Sequence, residues 1–142
     1  MTALKPGWQR LAKMLAGMTD ADATAMINQI REDDAELAQW LDTQRISLAR
    51  IITLPASQLA LLVAAIDESD LLLILRGLTA VERDRLLSAV SQRKAAVLRD
   101  DLAEMPAVRK TEIDAAEQRL LKVAQALEAE GKLSFSSEAL IG

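Results

Sequence analysis

Almost nothing in this chain breaks a helix. Three prolines and five glycines are spread over 142 residues, and each costs ~1 to 3 kcal/mol inside a helix, so their scarcity leaves long stretches uninterrupted. Apolar residues make up 51% of the sequence, yet aromatic ones supply only 2%, as Trp8, Trp40 and Phe135. The core must therefore be aliphatic, built from Leu, Ala, Ile, Val and Met. Apart from the β-branched ones these are good helix formers. The sequence predicts an all-α protein, long enough for one compact domain or two small packed helical units.

Punctuation and periodicity place the helices. The first runs from Pro6 to Ala16, with Trp8, Leu11, Met14 and Leu15 on one face, and Gly17 ends it. Thr19 caps a second, which carries Ala23, Met26, Ile27 and Ile30 at helical spacing. A third begins near Asp33 or Asp34 and buries Leu37, Trp40 and Leu41. The stretch Thr43 to Thr53 is less regular, although Ile46, Leu48, Ile51 and Ile52 can form one face. Pro55 suits a first helical position and opens a helix through Ala65. The polar cluster Asp67 to Asp70 then introduces a short, very apolar helix, Leu71 to Leu75, closed by Gly77.

Further on, Thr79-Ala80-Val81-Glu82 fits a capping box, in which threonine and glutamate satisfy opposite orphan amides. That helix is expected to reach about Val90 and to bury Val81, Leu86, Leu87 and Val90. Ser91 caps a charged helix that ends before Pro106. Thr111-Glu112-Ile113-Asp114 opens the last long helix, whose apolar positions Ile113, Ala116, Leu120, Leu121, Ala124 and Leu127 recur until Gly131. Lys132 to Gly142 is expected to be a loosely ordered tail. A faint internal repeat also shows: Leu15-Ala16-Gly17-Met18-Thr19 matches Leu75-Arg76-Gly77-Leu78-Thr79 sixty residues later. Short helices joined at Gly-x-Thr junctions suggest an armadillo-like helical stack.

Charge and residue usage exclude several functions. A net charge of −4 gives no electrostatic bias toward nucleic acid, and no run of Lys or Arg suggests a local patch. The chain has neither cysteine nor histidine, which removes thiolate chemistry, disulfides and the commonest general base and metal ligand. No secretory signal is visible, since Pro6-Gly7 follows Lys5 and no long apolar run comes next. The most lipid-like stretch, Ile51 to Ile66, contains Thr53, Pro55, Ser57 and Gln58 and stops short of the ~20 apolar residues a spanning helix needs. It reads as a buried helix.

What stands out is Arg76 to Arg109, which sets Arg76, Arg93, the pair Asp100-Asp101 and Arg109 into an otherwise ordinary helical sequence. At 100° per residue, Arg93, Val97, Asp100 and Glu104 fall on one stripe of the charged helix, with Lys94 and Asp101 to one side. Ala95, Leu98, Leu102 and Met105 fall opposite and mark the core face. Asp100 is expected to face solvent and Asp101 to lie at the boundary. The acidic pair sits near the C-terminal end, where the helix dipole disfavours it, so folding alone would not select that arrangement. A solvated face explains most such charges. No further oxygen ligands converge on the aspartates, so no metal, cofactor, small-molecule substrate or enzymatic chemistry is expected.

At these residues the sequence resembles the C-terminal region of the bacterial flagellar motor switch protein FliG family. The resembling block runs from Asp67-Glu68-Ser69-Asp70-Leu71 to Leu75-Arg76-Gly77, then from Ser91-Gln92-Arg93 through Asp100-Asp101-Leu102 to Val108-Arg109, and on to Leu127-Glu128-Ala129-Glu130-Gly131. It extends without gaps back to Asp34-Ala35-Glu36-Leu37-Ala38, which covers about three quarters of the chain. The resemblance implies a right-handed armadillo-like unit before a compact six-helix C-terminal domain, with divisions expected at 1–54, 55–131 and a tail at 132–142. It also implies a torque helix whose charges meet a stator. The family's lysine before glycine corresponds to Arg76, its helix arginine to Arg93, its two aspartates to Asp100 and Asp101, and its later arginine to Arg109.

The implied function is a flagellar motor switch, a rotor component whose charged helix contacts the stator cytoplasmic loop and supports motility. The implied setting is cytoplasmic, peripheral to the inner membrane at the flagellar basal body. Other switch-complex proteins are implied partners, along with self-association through armadillo-like stacking. The sequence also departs from the pattern. The family's Gly-Pro-Val-Arg becomes Pro106-Ala107-Val108-Arg109, and its hinge Met-Phe-x-Phe falls on Arg45-Ile46-Ser47-Leu48, which loses both aromatics. The family's ring-joining N-terminal domain and its middle domain with the Glu-His-Pro-Gln-Arg motif have no counterpart in these residues. The alternative is therefore a FliG-like adaptor or regulator that binds switch-complex or secretion-apparatus proteins without generating torque.

Overall fold

The computed structural model describes residues 6–135, all of them helix or connecting turn. The chain divides into two compact units, with the boundary between Ser47 and Leu48.

The first unit holds α1 (Pro6–Ala16), α2 (Asp20–Asp33) and α3 (Ala35–Gln44). Both internal starts are capped as their sequence requires. Thr19 Oγ1 accepts the Asp22 amide at 3.1 Å, and Asp34 Oδ1 accepts the Leu37 amide at 3.1 Å. Leu15, Ala23, Ile27, Ala38 and Leu41 form the buried core, with Leu11, Met26, Leu37 and Trp40 packed against it. Trp8 of α1 meets Trp40 of α3 with ring centroids 5.5 Å apart, tilted by 43°, an arrangement the ring quadrupoles favour. Arg45 reaches back to Asp20 at 2.6 Å and to Thr24 at 3.1 Å, joining the end of α3 to the start of α2. Met14, expected on the inward face, is 52% exposed. It stands one residue, hence 100°, from the buried Leu15, which carries it past the core's edge.

The second unit contains α4 (Leu48–Ile52), α5 (Ala56–Ala64), α6 (Glu68–Gly77), α7 (Ala80–Leu87), α8 (Gln92–Glu104) and α9 (Lys110–Ala129). Helix α6 is central and packs against both α8 and α9. Its Ile74 and Leu75 are fully buried, as are Ile51, Leu62 and Leu98 from the helices around it. The apolar residues around Ile51, Leu62, Ile74 and Leu120 line a void of about 10 Å³, room for about one water at most. Gly77 permits a close approach of α6 to α9, because a Cβ there would lie 2.8 Å from Ile113 Cγ2.

The two Gly-x-Thr junctions have the same local build. The Met18 amide bonds Leu15 O at 3.1 Å and the Leu78 amide bonds Leu75 O at 3.3 Å. Thr19 and Thr79 then cap the following helices in near-identical extended conformations. Thr79 adds the expected capping box, with Glu82 Oε1 accepting the Thr79 amide at 3.0 Å.

Further boundaries and faces differ from expectation, among them the end of α7 at Leu87 instead of near Val90 and the start of α5 at Ala56, with Pro55 as its cap residue. Helix α6 spans Glu68–Gly77, taking in the polar residues before Leu71, whose acidic side chains suit a helix start. Val81 is 74% exposed; it lies about half a turn away from the midpoint of Leu86 and Leu87, so the three cannot share a face. Helix α9 begins at Lys110, with Arg109 as its cap residue, because Glu112 Oε2 accepts the Arg109 amide at 3.0 Å. The described part of the tail is held in place. Gly131 adopts φ +79°, and the Lys132 amide bonds Leu127 O at 2.9 Å, a left-handed cap that turns the chain back along the unit. Leu133 is then buried, the Ser134 amide donates to Gln58 Oε1 at 3.0 Å, and Arg50 both stacks over the Phe135 ring and donates to its carbonyl. Residues 136–142 of the expected tail lie outside the described residues.

Candidate interaction face on α8

Helix α8 exists because its ends are specified and one of its faces is apolar. Ser91 Oγ accepts the Lys94 amide at 3.1 Å at the start, and the Met105 amide closes onto Leu102 O at 3.2 Å just before Pro106. Leu98 has no exposed surface and anchors the helix, with Ala95, Leu102 and Met105 half-buried beside it. The core face is the one the sequence periodicity predicts.

The opposite face presents Arg93, Val97, Asp100 and Glu104 to solvent, and Asp101 is half-buried at its edge. Arg93 and Asp100 are separated along the axis by about 10 Å, seven residues of helical rise. Among the described residues, Arg93, Asp100 and Asp101 make no side-chain hydrogen bond or ion pair. Their charges are therefore spent on water, and the acidic pair gains nothing from the helix end it occupies.

The remaining two positions belong to neighbouring segments. Arg76 sits in the last turn of α6 and aims a guanidinium nitrogen at Met105 O, at a long 3.5 Å. It shares a groove of about 430 Å³ with Arg83, Arg99, Leu102 and Ala103, which places it against the C-terminal part of α8. Arg109 is exposed at the start of α9, beyond the Pro106 loop. Arg93 lines a different groove, with the Glu68 end of α6. Helices α6 and α8 therefore run side by side in the same direction, with Arg93 at one end, Arg76 at the other and the aspartates between.

Sequence reasoning missed the charged groups that do have partners. Arg83 donates to Leu75 O at 3.0 Å and Leu78 O at 3.2 Å, satisfying carbonyls at the end of α6. Arg99 pairs with Asp84 at 3.0 Å across to α7, with both side chains more than half exposed, so the pair adds little stability. Asp70 of α6 takes a two-pronged contact from Arg119 of α9, which holds its carboxyl below the usual carboxylate range. These pairs join residues 8, 15 and 49 positions apart. Only the first lies close enough in sequence for local spacing to have hinted at it.

No group of three or more His, Cys, Asp or Glu side chains converges among the described residues. Nor is any helix among them long and apolar enough to cross a membrane. The arrangement is an open, mixed-sign surface on a rigid helix.

A sequence profile of the FliG C-terminal domain family matches residues 28–135. The chain belongs to that family. Its members are structural switch proteins and not enzymes. The flagellar motor switch protein FliG of Thermotoga maritima is 23% identical over 127 residues, 89% of this chain and 38% of that one. The Vibrio cholerae protein of the same name is 21% identical over 138 residues, 96% and 40% of the two chains. This chain thus spans about two fifths of the length of those relatives. Among solved structures, a FliG fragment from H. pylori superimposes with a TM-score of 0.66 at 20% identity, covering 93% of this chain and 62% of that one. Full-length FliG from Aquifex aeolicus gives 0.60 at 20% identity, covering 92% and 40%. At that identity the likeness speaks for the fold: an all-α FliG C-terminal architecture.

Proposed function

We propose that this FliG C-terminal chain is a flagellar motor switch component, and that the exposed face of α8 meets the stator cytoplasmic loop to generate torque. One observation carries the reading: Arg93, Asp100 and Asp101 are exposed or half-exposed without an internal partner among the described residues, on a helix whose opposite side is locked by Leu98. Charges that do nothing for the fold are suited to a partner. Arg76, beside the C-terminal part of α8, and Arg109, exposed at the start of α9, would complete the set. Opposed charges across such a contact give orientation and fast association more than tight binding. The working place is the cytoplasmic side of the basal body, among other switch-complex proteins, with the armadillo-like helices near the start available for stacking on further copies.

The double reversal Asp100→Lys/Asp101→Lys tests this in a strain whose motility depends on this protein. Swimming is expected to fail while the circular dichroism spectrum and thermal midpoint of the purified variant stay near those of the parent. Normal swimming by that strain overturns the proposal. The departures from the family's pattern at Pro106-Ala107-Val108-Arg109 and Arg45-Ile46-Ser47-Leu48 favour one second reading, an adaptor that binds switch-complex or secretion-apparatus proteins without torque. Co-purification with those proteins, unaffected by the reversal, is its signature.

A further inference from the structure

The groove near the C-terminal ends of α6 and α8 holds about 430 Å³ and is lined by Arg76, Arg83, Arg99, Leu102 and Ala103. Three helices, α6, α7 and α8, each contribute one arginine. Among the described residues no carboxylate joins that lining. Two neighbouring grooves are balanced instead: Glu68 accompanies Arg93 and Lys94 in one, and Asp67 and Asp70 accompany Arg119 and Lys122 in the other. In a chain of net charge −4, three like charges in one concavity set up a local field opposed to that of the whole molecule.

Helix ends account for part of that charge. Arg83 donates from Nε to Leu75 O at 3.0 Å and from Nη2 to Leu78 O at 3.2 Å, and Arg76 points Nη1 at Met105 O at 3.5 Å. Cations suit these C-terminal poles, each worth about half a negative charge. Arg99 donates from Nη2 to Asp84 Oδ1 at 3.0 Å. Three positive charges against one aspartate and two half-poles leave about one positive charge over. Donors are left over as well. Nη1 of Arg83, and Nε and Nη1 of Arg99, make no hydrogen bond among the described residues, and Arg76 has only its one long contact.

We propose that this groove binds a diphosphate group, with its oxygens on Arg83 and Arg99, Arg76 as a third donor, and any organic part of the ligand against Leu102 and Ala103. Guanidinium forks match phosphate oxygens in geometry and charge. A carboxylate offers two oxygens and one charge, too few for forks carried on three separate helices. The fastening of Arg83 to the α6 carbonyls holds its fork in place before a ligand arrives, which lowers the ordering cost of binding. Arg83 and Arg99 lie outside the stator-facing set, so the site stands or falls apart from the torque reading.

The test titrates the full chain with inorganic pyrophosphate, adenosine diphosphate and malonate at about 0.15 M salt, followed by amide and arginine Nε chemical shifts. Pyrophosphate is expected to bind saturably and to shift Arg83, Arg99 and Leu102, with malonate about tenfold weaker. Arg99→Gln, which loses an ion pair of little consequence for stability, is expected to cost about tenfold in affinity, the worth of a charge-assisted hydrogen bond. Asp84→Asn removes the competing partner of Arg99 and should tighten binding. Asp42→Asn makes the same change in net charge on the first unit, at the Arg31 pair, and should not. Tighter binding of adenosine diphosphate than of pyrophosphate makes the ligand a nucleotide, equal binding makes it the free diphosphate, and both sustain the site. Equal affinity for malonate, shifts that never saturate, or equal gains from Asp84→Asn and Asp42→Asn overturn the proposal and leave only a general counter-ion cloud.

Discussion

Arg119 holds Asp70 with two parallel hydrogen bonds, Nε to Oδ2 at 2.9 Å and a terminal nitrogen to Oδ1 at 2.8 Å, tying the first turn of α6 to the middle of α9. The hydrogen bond from Arg119 is the main reason the Asp70 carboxyl titrates below its ordinary value. A carboxylate with a depressed folded-state pKa adds stability that is fully present above the unfolded value of about 3.9 and is lost as pH falls through the folded one. Asp70→Asn is therefore expected to lower the thermal midpoint at pH 7. The gap to the parent should close as the melts are carried from about pH 4 downward. A gap that persists undiminished at the lowest pH would show that the pair contributes through shape and not through charge.

Leu98 and Val97 are neighbours with opposite duties. Leu98 is fully buried and Val97 is half exposed. Leu98→Ala is expected to cost about 2–5 kcal/mol by chemical denaturation, the range for emptying a core leucine site. Val97→Ala should stay within about 0.5 kcal/mol, as a surface change does. Similar losses at both positions would mean that α8 does not present the face described.

Gly77 is required by its neighbour across the interface. Gly77→Ala would gain about 1 kcal/mol in helix propensity, but its Cβ would meet Ile113 Cγ2 at 2.8 Å. The clash is expected to win, with a net loss of about 1–3 kcal/mol, as in other overpacked sites. In an Ile113→Ala background the same change should become neutral or favourable. Additive effects in that double-mutant cycle would remove the contact as the reason for glycine.

The segment after Gly131 is fastened by Arg50, whose guanidinium carbon lies 5.3 Å from the Phe135 ring centroid. Phe135→Ala and Arg50→Ala are expected to be non-additive, with a coupling of about 0.5–1 kcal/mol for a partly exposed cation–ring pair. Amide exchange at Leu133 and Ser134 should accelerate in either variant.

Local chemistry was the legible part of this fold. Thr19, Thr79 and Ser91 each cap the helix their sequence context assigns them, and Asp34 caps α3 at one of the two starts the sequence offered, because a cap is a contact three residues long. The core face of α8 was equally readable, since thirteen residues sample the helical period more than three times over. Val81 was misplaced because α7 has only eight residues, too few for periodicity to outweigh the mere presence of a valine. The Asp70–Arg119 clamp and the Arg50–Phe135 fastening join residues 49 and 85 apart, and nothing local encodes either. The charges of the proposed site were singled out by pattern and by the family resemblance, and the structure puts Arg93 and Arg76 at opposite ends of two parallel helices.

Because Arg93, Asp100 and Asp101 make no ion pair among the described residues, the sign of each can be inverted without disturbing what keeps α8 folded. Scaffold and charge pattern are physically separable: every sign on the outer face could be exchanged while Leu98 keeps the helix where it is.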